Sequence, residues 1–547
     1  MRVSKDISPS VETLRLLAGS GRRQAVLASA LAATLAVGAC DNTKQPVGTI
    51  GHVKGFAGMV AADEPRAAII GRDVLSAGGT AADAATAIYF TLAVTYPSAA
   101  SLGGGGSCIV HDNGKMKTEV IDFPANGSTS AGTMPTAVPA APRGIFALHA
   151  KYGRLRYESL LAEPERLARS GTTVSRALAN DLARAVAVLG RDPVARTIFL
   201  RPDGTVLREG DLMSQPQLAA TIANLRRNTG DFYLGNAARD LVRAVNAAGG
   251  TLTLEDLRDQ RPEWRDTITF KLGNEVAHFA PPPSVGSTVA GEMIAALWGR
   301  WSDTPAAERS HLLAETSARL FADRARWMLP NGWTNDQPAQ LLAEGRLKGL
   351  LADYNPGRHI PATGLTAPPA DASSGTGFAV LDSSGMAVAC GVTTYGMFGS
   401  GRVAGTTGIV LAGTPGPNGP PAITTMVTVN HNSKEIHFVG AASGGGTAPT
   451  ALAASFLATA VDNKTLAEAL ALPRLAHPGF PDAVFVETAP FALDPAPLQD
   501  RSHKVTAVAM PSRVEAIECR EGHRSPDTCE AATDPRGFGL STTVGKR

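Results

Sequence analysis

The sequence predicts an α+β fold. Helical apolar spacing runs through most of the first half, and short apolar runs paired around Gly-containing turns fill the second. A glycine-rich loop then leads into a late helix. The 547 residues can bury a large core, and length alone predicts two or more domains. Composition is that of a globular protein, with extra Gly and Ala and few aromatics. The formal net charge is +2, and no basic stripe carries interleaved aromatics, so nucleic acid is set aside as a partner.

The chain opens on a leader. Arg22 and Arg23 precede an apolar run over residues 25–37, and Val37-Gly38-Ala39-Cys40 follows. A basic flank, a short apolar stretch and small residues before a cut mark a secretory signal, and the run is too short to span a bilayer comfortably. A Cys directly after Val-Gly-Ala resembles a bacterial lipobox, which implies diacylglycerol on Cys40 and a periplasmic protein held at a membrane by lipid. The alternative is an ordinary signal peptide in which Cys40 is incidental. Residues 1–40 are therefore expected as signal, and 41–54 as a polar tether.

From residue 55 the elements can be taken in turn. Residues 58–62 read as a strand, and Pro65 sits where a helix's first turn tolerates it. Helical spacing over 67–77 stops at Gly78-Gly79. Thr80 with Asp83 forms a capping-box pattern opening a second helix to about Val94. Four glycines, Gly103 to Gly106, permit close backbone approach and positive φ. Residues 107–111 and 117–123 flank Asp112-Asn113-Gly114, a hairpin signal. Helices are expected over 157–169, 176–189 and 305–329. Hairpins are expected over 376–392 and over 426–439 around His431-Asn432-Ser433-Lys434.

Four cysteines follow Cys40. Cys519 and Cys529 bracket a short polar segment and are expected to form a disulfide, as an exported chain can. Cys108 and Cys390 lie inside apolar runs and are expected as buried small hydrophobes. No Cys/His spacing resembles a zinc site, so no metal is expected.

One stretch carries chemistry of its own. Ser374-Gly375-Thr376 ends a Pro/Ala/Ser/Thr-rich loop and begins a hairpin whose turn is Asp382-Ser383-Ser384-Gly385. If the bond before Thr376 is cut, that residue carries a free α-amine beside its hydroxyl. An α-amine titrates near about 7.7–8.0 and can serve as base for its own side chain. The plain alternative is a strand that begins at Thr376.

Residues 58–112, GMVAADEPRAAIIGRDVLSAGGTAADAATAIYFTLAVTYPSAASLGGGGSCIVHD, resemble the opening of the γ-glutamyltranspeptidase family. The likeness continues through Ala147-Leu148-His149-Ala150-Lys151-Tyr152-Gly153-Arg154-Leu155, Pro281-Pro282-Pro283-Ser284, FGSGRVAGTTGIVL (398–411), Gly444-Gly445-Gly446 and Leu472-Pro473-Arg474. It implies the N-terminal-nucleophile hydrolase fold, a four-layer αββα sandwich. It also implies a precursor that cuts itself into a large-subunit-like region (55–375) and a small-subunit-like region (376–547), which stay paired. A small-molecule amide or γ-glutamyl-like substrate, and no cofactor, follow from the same likeness. Gly444 and Gly445 would hold the oxyanion, and Thr393 falls on a supporting Thr.

The departures concern the site. Counting back from Phe398 without a gap puts the family's nucleophile on Gly375, which has no hydroxyl, and its second Thr on Thr376. A one-residue shift would let Thr376 serve with cleavage between Gly375 and Thr376; Ser374, or no nucleophile, are the alternatives. The Arg that follows Asp-Phe in the family is Pro124 here, and 412–419 (AGTPGPNG) lacks the acid that meets the substrate's amine. A guanidinium grips a carboxylate bidentately, whereas proline offers no donor. Tyr395 stands where an Asn is common, and only Thr424 keeps a hydroxyl where the family has a Ser pair. The expectation is an exported amidohydrolase or acyltransferase with altered glutamyl recognition; the alternative is an uncleaved, non-catalytic binding or scaffold lipoprotein.

Overall fold

The computed structural model describes residues 55–129, 136–329, 332–362, 374–414 and 423–545. The expected signal (1–40), the expected tether (41–54) and Cys40 lie outside the described residues. Strands of the two main sheets are, in chain order, β1 Gly58–Ala62, β2 Gly105–Asp112, β3 Lys117–Phe123 and β4 Glu263–Asp266. Then come β5 Ile268–Leu272, β6 Glu275–Phe279, β7 Thr376–Asp382, β8 Ala387–Thr393 and β9 Thr424–Asn430. The last four are β10 Glu435–Ser443, β11 Arg513–Cys519, β12 Cys529–Thr533 and β13 Leu540–Val544. One sheet has the order β13-β1-β7-β8-β2-β3-β4, the other β12-β11-β10-β9-β6-β5, and every pairing in both is antiparallel.

Side chains alternate across each strand, and that alternation builds the layers. On β7, Phe378 and Val380 pack with the helices α1 Pro65–Ser76 and α2 Ala81–Thr95, in one apolar cluster. Ala379 and Leu381 point the other way and meet Val427, Val439 and Ile517 of the second sheet. The far face of that sheet, through Met426, Phe438 and Val514, packs on α3 Val285–Asp303, α4 Arg309–Trp327 and α5 Ala448–Ala460. The order is helix, sheet, sheet, helix. The four-layer αββα sandwich holds within residues 52–547, where the two sheets share a core.

Local signals translate directly. Pro65 stands at the first turn of α1, and Glu64 accepts from the Ala67 N–H. Thr80 and Asp83 close a reciprocal capping box on α2. The hairpin over Asp382-Ser383-Ser384-Gly385 is tied by the Asp382 carboxylate, which accepts from the N–H groups of Ser384 and Met386. The expected helix over 157–169 breaks at Leu161 into Tyr157–Leu160 and Ala162–Ser170. The one over 305–329 begins with a tight turn, Ala306–Glu308, before α4.

Three features correct the sequence reading. The sequence reading places no strand at β4, β5 or β6: charged residues interrupt β4 and β5, as edge strands allow, and β6 is a short inner strand that Glu275 and His278 make polar. Gly103 to Gly106 are not among the positive-φ residues. What they supply is close approach: a Cβ at Gly104 would lie 2.3 Å from the Thr393 carbonyl oxygen, and one at Gly106 2.4 Å from that of Gly391. Finally, Cys108 and Cys390 are not separate buried thiols. They face each other across the β2–β8 ladder and form a disulfide, so the period-2 pattern that buried them also paired them. The expected Cys519–Cys529 disulfide is present between β11 and β12.

The Cys108–Cys390 bond closes a long loop, so it restricts the unfolded chain strongly. Cys390→Ser in oxidised protein is expected to cost about 2–5 kcal/mol of unfolding free energy, read from urea denaturation without reductant.

Candidate active site

β7 lies between β1 and β8, so the residues at its N-terminal end are enclosed. Thr376 is 1% exposed, and its Oγ1 donates to Asp63 Oδ2 at 3.0 Å. Asp63 follows β1 directly and also accepts from Arg513 Nε, at Oδ2 over 3.3 Å. Arg513 begins β11, opposite Ser443 at the end of β10. The glycine loop starts at the next residue. Gly444 (φ +116°) and Gly445 (φ +65°) adopt the left-handed backbone that favours glycine, and a Cβ at Gly444 would sit 2.4 Å from Ser512 Cα. Arg474, from the Leu472-Pro473-Arg474 motif, donates to the Ser512 carbonyl and to Asp534, fixing the backbone beneath the loop. Thr376, Asp63, Arg513 and the Gly444–Gly445 turn are thus joined by consecutive contacts.

A second acid completes this cluster. Glu515 on β11 is buried, and burial first, then the charge of Asp63 and a hydrogen bond to it, push its carboxyl well above the usual range. As two ionised acids, Glu515 and Asp63 Oδ1 would find no donor here; a proton on Glu515 supplies one. The cluster therefore holds one shared acidic proton, one guanidinium and the Thr376 hydroxyl.

Gly375 and Thr393 form the adjoining half of the site. Thr393 Oγ1 donates to the Ser374 carbonyl at 2.7 Å and accepts from the Tyr395 N–H at 2.9 Å. A Cβ at Gly375 would lie 3.6 Å from Thr393 Cβ and only 2.9 Å from the Val392 carbonyl oxygen. Position 375, not 376, therefore faces Thr393. Ser374 Oγ donates to the Ser98 carbonyl at 3.0 Å.

On the substrate side, Tyr395 takes a left-handed backbone (φ +59°), and its hydroxyl accepts from the Ala125 N–H at 3.1 Å. Tyr395, Pro124, Ile423, Asp122 and Ser284 line a cavity of about 20 Å³, room for a water. In its wall Asp122 is held by Ser284 Oγ (3.1 Å) and Arg265 Nη1 (3.4 Å), so Arg265 is spent on an acid of the protein. Thr424, next to Ile423, is buried in β9 opposite Ala442. Most of 412–419 lies outside the described residues.

The sequence reading therefore named Thr376, Thr393, Gly444, Gly445, Tyr395 and Thr424 and missed Asp63, Arg513 and Glu515. Asp63 sits between a strand end and a Pro-started helix, which reads as a connection. Arg513 and Glu515 come from a strand far along the chain that had not been placed.

A family model described as gamma-glutamyltranspeptidase matches residues 67–414. The chain belongs to that family. It is 30% identical over 377 residues to a glutathione hydrolase proenzyme of Pseudomonas aeruginosa, an alignment covering 65% of this chain and 67% of the relative. Against the Escherichia coli glutathione hydrolase proenzyme identity is 27%, covering 80% and 83%. Against glutathione hydrolase 3 of Arabidopsis thaliana it is 31%, covering 52% of this chain and 47% of the relative, so the match spans about half of that protein. Among solved structures, a cephalosporin acylase from Bacillus halodurans superposes with TM-score 0.77 at 23% identity over 92% of this chain and 99% of the acylase. A γ-glutamyltranspeptidase from Helicobacter pylori gives TM-score 0.52 at 25% identity, over 55% and 93%. The N-terminal-nucleophile hydrolase fold is common to this γ-glutamyltranspeptidase-family chain and these structures.

The buried acid pair has a pH signature. Glutamate ordinarily titrates near 4.5, and folded Glu515 keeps its proton above that pH. Folding then takes up a proton, so stability falls as pH rises from there, by up to about 1.4 kcal/mol per unit. Glu515→Gln removes this proton uptake. Its unfolding free energy is expected to fall less steeply than the parent's between about pH 5 and pH 8 in urea titrations.

Proposed function

We propose that the chain is a self-processing amidohydrolase or acyltransferase whose nucleophile is Thr376. The observation that carries this reading is the Thr376–Asp63 hydrogen bond, which places an ionisable acceptor on the hydroxyl of the residue after Gly375. In processing, Thr376 Oγ1 attacks the Gly375 carbonyl carbon while Asp63 takes the hydroxyl proton. The C–N bond breaks as that proton passes to the nitrogen, freeing the Thr376 amine, and water hydrolyses the resulting ester to a Gly375 carboxylate and the Thr376 hydroxyl. In turnover Thr376 Oγ1 attacks an amide carbonyl, and the new amine takes the proton and returns it to the leaving amine. The Gly444 and Gly445 N–H groups stabilise the oxyanion, and water or an acceptor amine then releases the acyl group.

Substrate recognition follows from what replaces the charges. Pro124, Tyr395 and Ile423 offer a zwitterionic glutamyl group no cation, and burying a carboxylate without one costs on the order of a few kcal/mol. The reading is therefore an amide with a less charged acyl group, and weak turnover of γ-glutamyl amides. Export with a lipid on Cys40 belongs to the same proposal; two disulfides support an oxidising compartment.

A second reading is favoured by one observation: the position that faces Thr393 is Gly375. On that reading the chain stays whole and binds without turnover.

Electrophoresis with and without reductant separates the two. Processing predicts, under reduction, a separate 376–547 fragment whose N-terminal residue is Thr376. Without reductant a single band is expected, because Cys108 and Cys390 lie on opposite sides of the cut. Thr376→Ala should abolish the fragment and Thr376→Ser should retain it; an intact chain in reduced, exported protein overturns the enzyme reading.

A further inference from the structure

Outside this site the structure gathers four histidines and two acids in the second helical layer. His311 and Glu315 occupy successive turns of one face of α4, and both are buried. His503 reaches them from a loop late in the chain. His311 Nδ1 lies 2.7 Å from His503 Nε2, and His503 Nε2 lies 3.6 Å from Glu315 Oε1. His359 Nδ1 bonds the same Glu315 oxygen at 2.5 Å, with its ring 4.3 Å from that of His503.

We propose that His311 Nδ1, Glu315 Oε1 and His503 Nε2 bind a zinc-class divalent ion, with His359 Nδ1 positioning the Glu315 oxygen from outside and water completing the shell. His311, Glu315 and His503 offer ligand atoms that all lie within 4.8 Å of one another. Tetrahedral zinc with bonds of about 2.0–2.1 Å needs ligand atoms roughly 3.3 Å apart, which the observed separations straddle.

Two features favour a metal over a plain hydrogen-bonded cluster. First, His311 Nε2 bonds the Asn355 carbonyl oxygen at 2.8 Å, the kind of bond that fixes the tautomer of a metal-ligating imidazole and leaves the other nitrogen's lone pair facing inward. Second, Arg319 holds Glu315 through Oε2 at 2.7 Å, and His359, itself bonded through Nε2 to Asp482 Oδ1 at 3.0 Å, holds Oε1 beside the other two histidines.

The placement gives the ion a structural role that does not depend on the proposed chemistry. His311, Glu315 and His359 precede Gly375, and His503 and Asp482 follow it. A bound ion would clasp both regions at the helical layer, as the Cys108–Cys390 bond clasps them in the first sheet.

The test uses tag-free full-length protein, stripped with chelator and titrated with Zn²⁺ or Co²⁺. We expect about one ion per chain, with Co²⁺ giving the intense visible bands of a four-coordinate site. His311→Gln and His503→Ala should lose the ion and the bands. Asp482→Asn, at a partly exposed position, should weaken binding about 10- to 100-fold through His359, with folding checked by circular dichroism. No ion bound by the parent at micromolar Zn²⁺ overturns the proposal; so does binding that persists unchanged in the folded His311→Gln protein.

Discussion

The central strand β7 begins where water does not reach, and the site follows from that constraint. Ordinary loops deliver their last residues to solvent, which satisfies their polar atoms. Here Thr376 is enclosed by β1 and β8, so its hydroxyl must find a protein acceptor, and Asp63 at the end of β1 is that acceptor. Asp63 in turn needs compensation, which Arg513 and the proton on Glu515 provide. Each partner comes from a strand end, so the two-sheet sandwich and the polar cluster require each other.

The same strand end separates two jobs that position 375 or 376 could do. Alternation points Gly375 at Thr393 and leaves Thr376 to Asp63. A nucleophile at Thr376 therefore draws on an acid as its first proton acceptor, with Thr393 bracing the neighbouring carbonyl of Ser374. The substrate side has changed in parallel. Tyr395 bridges to the backbone at Ala125, and the remaining cavity is close to the size of a water.

The molecule is also joined across residue 375 in several layers. The β1–β7 and β8–β2 ladders pair residues on either side of it, and the Cys108–Cys390 bond adds a covalent tie. Cutting the backbone there would leave these ties in place.

Sequence alone determined the elements whose signals are local: the capping box of Thr80 and Asp83, the 376–392 hairpin with its Asp-Ser-Ser-Gly turn, the glycine loop at 444–446 ahead of a helix and the Cys519–Cys529 bridge. Each depends on residues near one another in the chain, so composition and spacing suffice. The family likeness extended this to the four layers. Tertiary structure alone decided what depends on long-range pairing. It joined Cys108 to Cys390, brought Asp63, Arg513 and Glu515 to Thr376, aimed Gly375 at Thr393, and gathered His311, His359 and His503 around Glu315. Side-chain direction at a strand end and contacts between distant segments carry no local signature, because they arise only when the sheets register and the helices pack.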